Sequence, residues 1–270
     1  MTTVLDDIIA GVRIDMLLRM EQVSAAQLEQ KISQASAAKP VLPFFQTADL
    51  GLISEVKRRS PSKGDLAEIP DPAWLAAQYA AGGASAISVL TEQRRFNGSL
   101  DDLAAVRAAV DIPVLRKDFM VDTYQILEAR AFGADLILLI VAGLDQPTLT
   151  RLHAESLELG MTVLVEVHDA DEIERALDAG AQMIGVNNRD LRTLEVHPDQ
   201  FVRLSEQIPA GITRIAESGI TSPADVQYYA DAGADGLLIG EALVKQGDPK
   251  AAVEAFLAAG RSQRRVNEQT

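Results

Sequence analysis

One phrase recurs four times along the chain: AAGGASAISVL ending at Leu90, AFGADLILLI ending at Ile140, DAGAQMIGVN ending at Asn187 and DAGADGLLIG ending at Gly240. In each copy a helical segment runs into glycine and a short apolar run follows. Glycine suits the left-handed position just past a helix, where a Cβ would clash with its own backbone. A short unbroken apolar run reads as a strand buried on both faces. From Gly83 to Gly133 to Gly180 to Gly233 the spacing is 50, 47 and 53 residues, room for two strand-and-helix units in each period.

Four further strand candidates lie between the copies: Gly51 to Lys57, Ile112 to Lys117, Met161 to Val167 and Ile212 to Glu217. Helical patterns alternate with the strands at Pro72 to Ala81, Leu100 to Val110, Thr123 to Phe132, Gln146 to Leu159, Ala170 to Ala179, Pro198 to Ile208, Pro223 to Ala232 and Pro249 to Ala259. Strict alternation implies a parallel sheet, and eight such units favour closure into a (βα)8 TIM barrel. A propeller would need four strands per blade without helices, and a leucine-rich solenoid would need shorter repeats. An open doubly wound sheet is the structural rival, but the G-x-G-x-x-G fingerprint that would follow its first strand is missing.

The 270 residues fit one α/β barrel domain, since such barrels run to about 250 residues without splitting. Residues 1–45 form an N-terminal helical extension, with Leu5, Ile8, Ile9 and Val12 at turn spacing and Leu17 and Leu28 further on. We read it as a helix covering part of the barrel; the alternative is a lid that lends residues to the site. Positions 261–270 form a polar tail, expected to fray.

Acidic residues outnumber basic ones 39 to 25, for a formal net charge of −14. Such a surface favours solubility and repels nucleic acid. With no cysteine, disulfides, thiolate metal sites and cysteine nucleophiles are excluded. Asp6 and Asp7 in the first turns argue against a secretory signal, and the longest apolar stretch, Leu136 to Ala142, is too short to span a bilayer. The expected setting is the cytoplasm, without a membrane partner, as a monomer or a homodimer.

Barrels of this kind place reacting groups at the C-terminal ends of their strands. Here the first strand ends in Glu55 and Lys57, the third in Lys117, the fifth in Glu166, the sixth in Asn187, the seventh in Glu217 and Ser218, and the eighth in Gly240 and Glu241. Alternation puts Glu55 and Lys57 on one face. For any single strand, a charge that merely ends it in solvent is the simpler explanation; three strands ending in Lys or Glu on one rim favour chemistry. Gly219 and Gly240 occupy the turns after strands seven and eight, where backbone N–H groups and a short helix can hold phosphate. A carboxylate at Glu241 fits an anion site only if its backbone N–H does the binding. His153, His168 and His197 are too dispersed for a metal cluster and are expected to be structural or exposed.

In this order, EVKRRSPSKGDL, SVLTE with RRFNGS, VLRKDF, LVEVH, GVNNRDL and IAESGI resemble the indole-3-glycerol phosphate synthase family over roughly residues 50–245. The first motif is the most specific; ESGI and the last glycine recur in many phosphate-binding barrels. The resemblance implies conversion of 1-(o-carboxyphenylamino)-1-deoxyribulose 5-phosphate into indole-3-glycerol phosphate, with loss of carbon dioxide and water and without a cofactor. It makes Lys117 the general acid toward the ketone oxygen and divides the later loss of hydroxyl among Lys57, Glu166 and Glu55. Asn187, Ser218 and Glu217 would bind and orient the substrate, while Ser60, Gly219, Gly240 and Glu241 would hold its phosphate. Phe96, Phe119 and Leu139 could pack on the anthranilate ring. The charged run RRSPSKG is the candidate mobile loop.

Three rivals bear on the function. A phosphoribosylanthranilate isomerase would share the fold and the phosphate grip, but that family typically uses a cysteine. A Schiff-base aldolase would use Lys117 or Lys57 as nucleophile. A catalytically silent barrel would have no need of the intact set of Lys, Glu and Asn at the rim.

Overall fold

The computed structural model describes residues 3–47, 49–244 and 247–267. Its centre is a closed parallel barrel. The strands are β1 (Gly51–Val56), β2 (Ala86–Leu90), β3 (Val114–Lys117), β4 (Leu136–Ile140), β5 (Thr162–Val167), β6 (Met183–Asn187), β7 (Thr213–Glu217) and β8 (Gly236–Ile239). Each pairs with its neighbours in the sequence, and β1 closes the ring by pairing with both β2 (Ile53 with Ala86) and β8 (Gly51 with Gly236). The four glycines of the repeat all take positive φ, 98° at Gly83, 91° at Gly133, 90° at Gly180 and 85° at Gly233, as their position after a helix requires.

Two helices precede the barrel, α1 (Val4–Gln22) and α2 (Ala25–Gln34). Around it lie α3 (Pro72–Ala81), α4 (Leu100–Ala109), α5 (Thr123–Ala131), α6 (Gln146–Glu158), α7 (Ala170–Asp178), α8 (Asp199–Ser205), α9 (Pro223–Asp231), the short α10 (Glu241–Val244) and α11 (Pro249–Asn267). Polar side chains start them locally: Thr3, Ser24, Asp71, Ser99, Asp122, Asp145, Asp169 and Ser222 each accept a hydrogen bond from a first-turn N–H. Each cap stabilises its helix by about 1 kcal/mol. α11 runs past Ala259, where the apolar pattern suggests an end, into the polar tail; positions 268–270 lie outside the described residues.

The core has two layers. Between strands and helices lies a large apolar shell, and inside the barrel a smaller cluster formed by Ile53, Ala86, Leu115, Leu136, Leu138, Leu164, Met183, Ile215 and Leu238. The floor is sealed by Phe45, which is fully buried. Its ring lies where Gly51 and Gly236 lack side chains: a Cβ on either would fall 2.4 Å or 2.6 Å from Phe45 Cδ1. Paired glycines at the start of β1 and β8 thus make the socket for one aromatic plug.

The extension is bound tightly to this frame. Leu5, Ile8, Val12 and Met16 of α1 and Leu28 of α2 are buried, whereas Leu17, expected on the same apolar stripe, is 57% exposed. Arg19 clamps α1 to α5 with two hydrogen bonds to Glu128, of 2.6 and 3.0 Å. Among the described residues, no helix is long and apolar enough to cross a membrane.

Candidate active site

The reactive groups follow from the period of two in a strand. Counting two residues on from an apolar residue of the inner cluster leads from Ile53 to Glu55, from Leu115 to Lys117, from Leu164 to Glu166 and from Ile215 to Glu217. Each charged group therefore stands one inward step above the apolar layer, at the C-terminal rim. They line a cavity of about 430 Å3.

Glu55, Glu166 and Glu217 are each no more than 2% exposed. Buried carboxylates are tolerable only with compensating charge or a bound proton. Lys117 Nζ supplies charge from the centre, 4.0 Å from Glu166 Oε2 and 4.0 Å from Glu217 Oε2. Lys57 donates a hydrogen bond to Glu55 Oε1. Asn187 Nδ2 donates to Glu166 Oε1 at 3.0 Å. Glu217 Oε1 is buried and has no hydrogen-bond partner.

These placements set the protonation states. Burial alone would lower the Lys117 pKa, but the charges of Glu166, Glu55 and Glu217 outweigh it and hold the ammonium above its usual range. Burial would likewise raise Glu55, and Lys57 and Lys117 overcome it, leaving the carboxylate lowered. For Glu217, burial and then the charge of Glu166 prevail over Lys117 and push the acid up to about 8. The site therefore holds a cationic lysine beside the ionised Glu55 and a Glu217 carboxyl that keeps its proton at neutral pH.

Two glycines make room for the acids. A Cβ on Gly185 would lie 2.0 Å from Glu217 Oε1, and one on Gly240 would lie 2.5 Å from Glu55 Oε1. Gly240 thus has a role in the wall of the acid cluster besides the phosphate turn expected of it. Ser218 and Gly219 both take positive φ, 64° and 79°, in the tight turn after β7. Asn188 holds that turn by donating to the carbonyls of Glu217 and Ser218 and to the Tyr229 hydroxyl, at 2.9, 3.1 and 3.2 Å.

Ser60, Gly219, Gly240 and Glu241 all line the cavity. The charged run after β1 forms a small hairpin, Arg59–Ser60 against Gly64–Asp65, and its Lys63 donates to Glu241 Oε1 at 2.8 Å. That pairing turns the Glu241 carboxylate toward a lysine, as an anion site beside its backbone requires. Phe96 and Phe119 also line the cavity and pack as tilted neighbours, with ring centroids 6.0 Å apart. Glu92 shapes the loop carrying Phe96 by accepting from the backbone N–H groups of Arg94, Arg95 and Phe96 at 2.9, 2.7 and 3.0 Å.

All the residues expected from sequence at the catalytic, orienting and phosphate positions line this one cavity. Leu139 does not. Its side chain belongs to the outer apolar shell, and alternation gives the cavity Leu138 and Ile140 instead. The extension does both things weighed for it: besides covering the barrel, α1 brings Val4, Leu5 and Ile8 into the cavity wall. Two contributions were not anticipated. Arg189, in GVNNRDL, lines the cavity and is held by the Leu194 carbonyl at 2.8 Å. His168, expected to be structural or exposed, lies 3.4 Å through Nε2 from Glu166 Oε1.

Comparison with known proteins agrees with this geometry. The family model for indole-3-glycerol phosphate synthase matches residues 5–256. The indole-3-glycerol phosphate synthase of a Nocardioides species is 59% identical over 93% of this chain and 96% of its own length. That of Mycolicibacterium gilvum is 57% identical over 96% of this chain and 95% of its own. Among solved structures, 3-hexulose-6-phosphate synthase from Salmonella typhimurium superposes with a TM-score of 0.65 at 17% identity, covering 78% of this chain and 98% of that one, a likeness of fold alone. A rim of buried acids around a central lysine, on a barrel whose sequence matches one family from α1 to α11, places the chain in the indole-3-glycerol phosphate synthase family.

Proposed function

We propose that this chain closes the indole ring of 1-(o-carboxyphenylamino)-1-deoxyribulose 5-phosphate with Lys117 as general acid. The observation that carries the reading is the Lys117 ammonium, held between Glu166 and Glu217 at 4.0 Å on the cavity floor. The ring carbon bearing the carboxylate attacks the ketone carbon while Nζ gives a proton to the ketone oxygen. The bond to the carboxylate then breaks, and its electrons restore the ring as carbon dioxide leaves. Finally the new hydroxyl departs as water with a second proton, and the neighbouring methylene loses one proton to a carboxylate. Lys57, Glu55 and Glu166 surround the cavity at the right rim for that last step.

The phosphate is read as sitting on the turns after β7 and β8, against the backbone of Gly219, Gly240 and Glu241 and the Ser60 hydroxyl, with Asn187 and Ser218 orienting the chain between. The anthranilate ring fits beside Phe96 and Phe119. A raised Lys117 pKa favours an acid over the neutral amine that a Schiff base needs. We read the chain as one domain acting in the cytoplasm on a free phosphorylated small molecule, in keeping with its charge of −14.

The test is the fluorescence of the indole product formed from the linear substrate. Lys117→Met should lower kcat/KM by about 10²- to 10⁴-fold, the usual worth of a positioned acid, while a phosphate-bearing ligand still binds. Near-normal turnover in that variant would remove Lys117 from the role.

A further inference from the structure

The reaction has a proton deficit. Two protons go to the substrate oxygen, first to make the hydroxyl and then to release it as water, and one comes back from the methylene. The carboxylate leaves as carbon dioxide and returns none. One proton must therefore enter the site in every turnover.

We propose that Glu172, His168 and Glu166 form a proton-entry chain that recharges the Lys117 ammonium from the outer side of the barrel wall while the cavity is occupied. The chain is continuous in space. Glu172, in the first turn of α7, has a side chain 13% exposed, and its Oε2 lies 3.1 Å from His168 Nδ1. His168 Nε2 lies 3.4 Å from Glu166 Oε1, and Glu166 Oε2 lies 4.0 Å from Lys117 Nζ.

Three features fit a carrier better than a brace. First, Nε2 is buried and makes no hydrogen bond; it meets Glu166 at ion-pair distance only, a gap that closes when a proton is passed. Second, the backbone around the ring is fixed: Glu172 Oε2 accepts from the His168 N–H at 2.7 Å, and Gln200 Nε2 donates to the His168 carbonyl at 2.9 Å. The ring is thus held with one nitrogen toward Glu172 and the other toward the acid cluster. Third, burial works against the imidazolium, but the hydrogen bond to Glu172 and the charges of Glu166, Glu172 and Glu217 keep its pKa above the ordinary value. An imidazole that holds a proton near neutrality can take one at Nδ1 and release one at Nε2.

In the transfer, Glu172 passes a proton from water to Nδ1 of the neutral, Nε2-protonated His168, the imidazolium gives its Nε2 proton to Glu166, and Glu166 hands a proton on to the neutral Lys117 amine. His168 is left protonated on Nδ1, and once the product leaves, proton exchange with water in the open cavity restores the Nε2-protonated tautomer. No electrons move, and one proton is drawn from solvent.

The inference rests on Lys117 as the acid, and kinetics separates the two. Carbon dioxide release is the first irreversible step, so kcat/KM reports ring closure, whereas kcat includes recharging. In the full-length enzyme, His168→Gln keeps an amide toward Glu166 but cannot relay a proton. We expect its kcat to fall by about tenfold, within the range of general acid–base effects, with kcat/KM within twofold of the parent. Glu172→Gln should behave alike, and added imidazole should restore part of the kcat of His168→Gly. An unchanged kcat in His168→Gln would overturn the chain. So would an equal fall in kcat and kcat/KM, which would make His168 a positioning residue for ring closure. Failure of the Lys117 reading would show separately, as kcat/KM surviving in Lys117→Met.

Discussion

The two ends of the barrel use the same device for opposite purposes. At the floor, Gly51 and Gly236 leave a notch that Phe45 fills, and the result is dry and apolar. At the rim, Gly185 and Gly240 leave notches that Glu217 and Glu55 fill, and the result is a cluster of buried acids. The missing Cβ atoms are equivalent; what differs is the price in free energy of the group that enters. An aromatic ring gains by leaving water, while a carboxyl is held there only by nearby lysine or by keeping its proton. Stability thus belongs to one end and reactivity to the other.

That contrast can be broken by substitution. Phe45→Ala should cost about 3–5 kcal/mol in denaturant unfolding, as removal of a buried aromatic does, with kcat unchanged at temperatures where the variant is folded. A large loss of kcat alongside would show that the ends are coupled. Next comes a matched pair. Gly236→Ala and Gly185→Ala should each cost about 1–3 kcal/mol by overpacking. Only Gly185→Ala, which displaces Glu217, should also depress turnover, and equal kinetics in the two would end the distinction.

The rim also carries a pH dependence that the floor lacks. Glu217 has a folded pKa of about 8 against an ordinary 4.5, so its contribution to stability is complete below about pH 4.5 and is lost as pH rises through 8. Between those limits the melting temperature of the parent should fall relative to that of Glu217→Gln, and above them the difference should be constant. A difference that stayed flat from pH 5 to 8 would mean that Glu217 is ionised throughout.

The strand ends were legible in the sequence because each is the end of an apolar run, and alternation then gives the inward face. Glu55, Lys57, Lys117, Glu166 and Glu217 were found by that rule alone. Leu139, which the resemblance offered for the ring, fails that rule: alternation gives the cavity Leu138 and Ile140 instead. His168 stands two residues past Glu166, so the same alternation puts it beside that acid, a placement that the spacing of histidines along the chain does not give. Phe45 was not legible at all, since the notch it fills exists only once β1 meets β8. The share of α1 in the cavity stood only as an alternative, because apolar periodicity says which face is buried and not what lies beneath it.

That share has a consequence for how such an enzyme can change. The acids and the central lysine are rooted in strands, while Val4, Leu5 and Ile8 reach the cavity from a helix that takes no part in the sheet. Part of the cavity's apolar wall is therefore encoded ahead of every strand that carries a reacting group. Substitutions at those three codons change that wall without touching a residue of the sheet, which gives this barrel a place to alter the shape of its cavity apart from its acids and lysines.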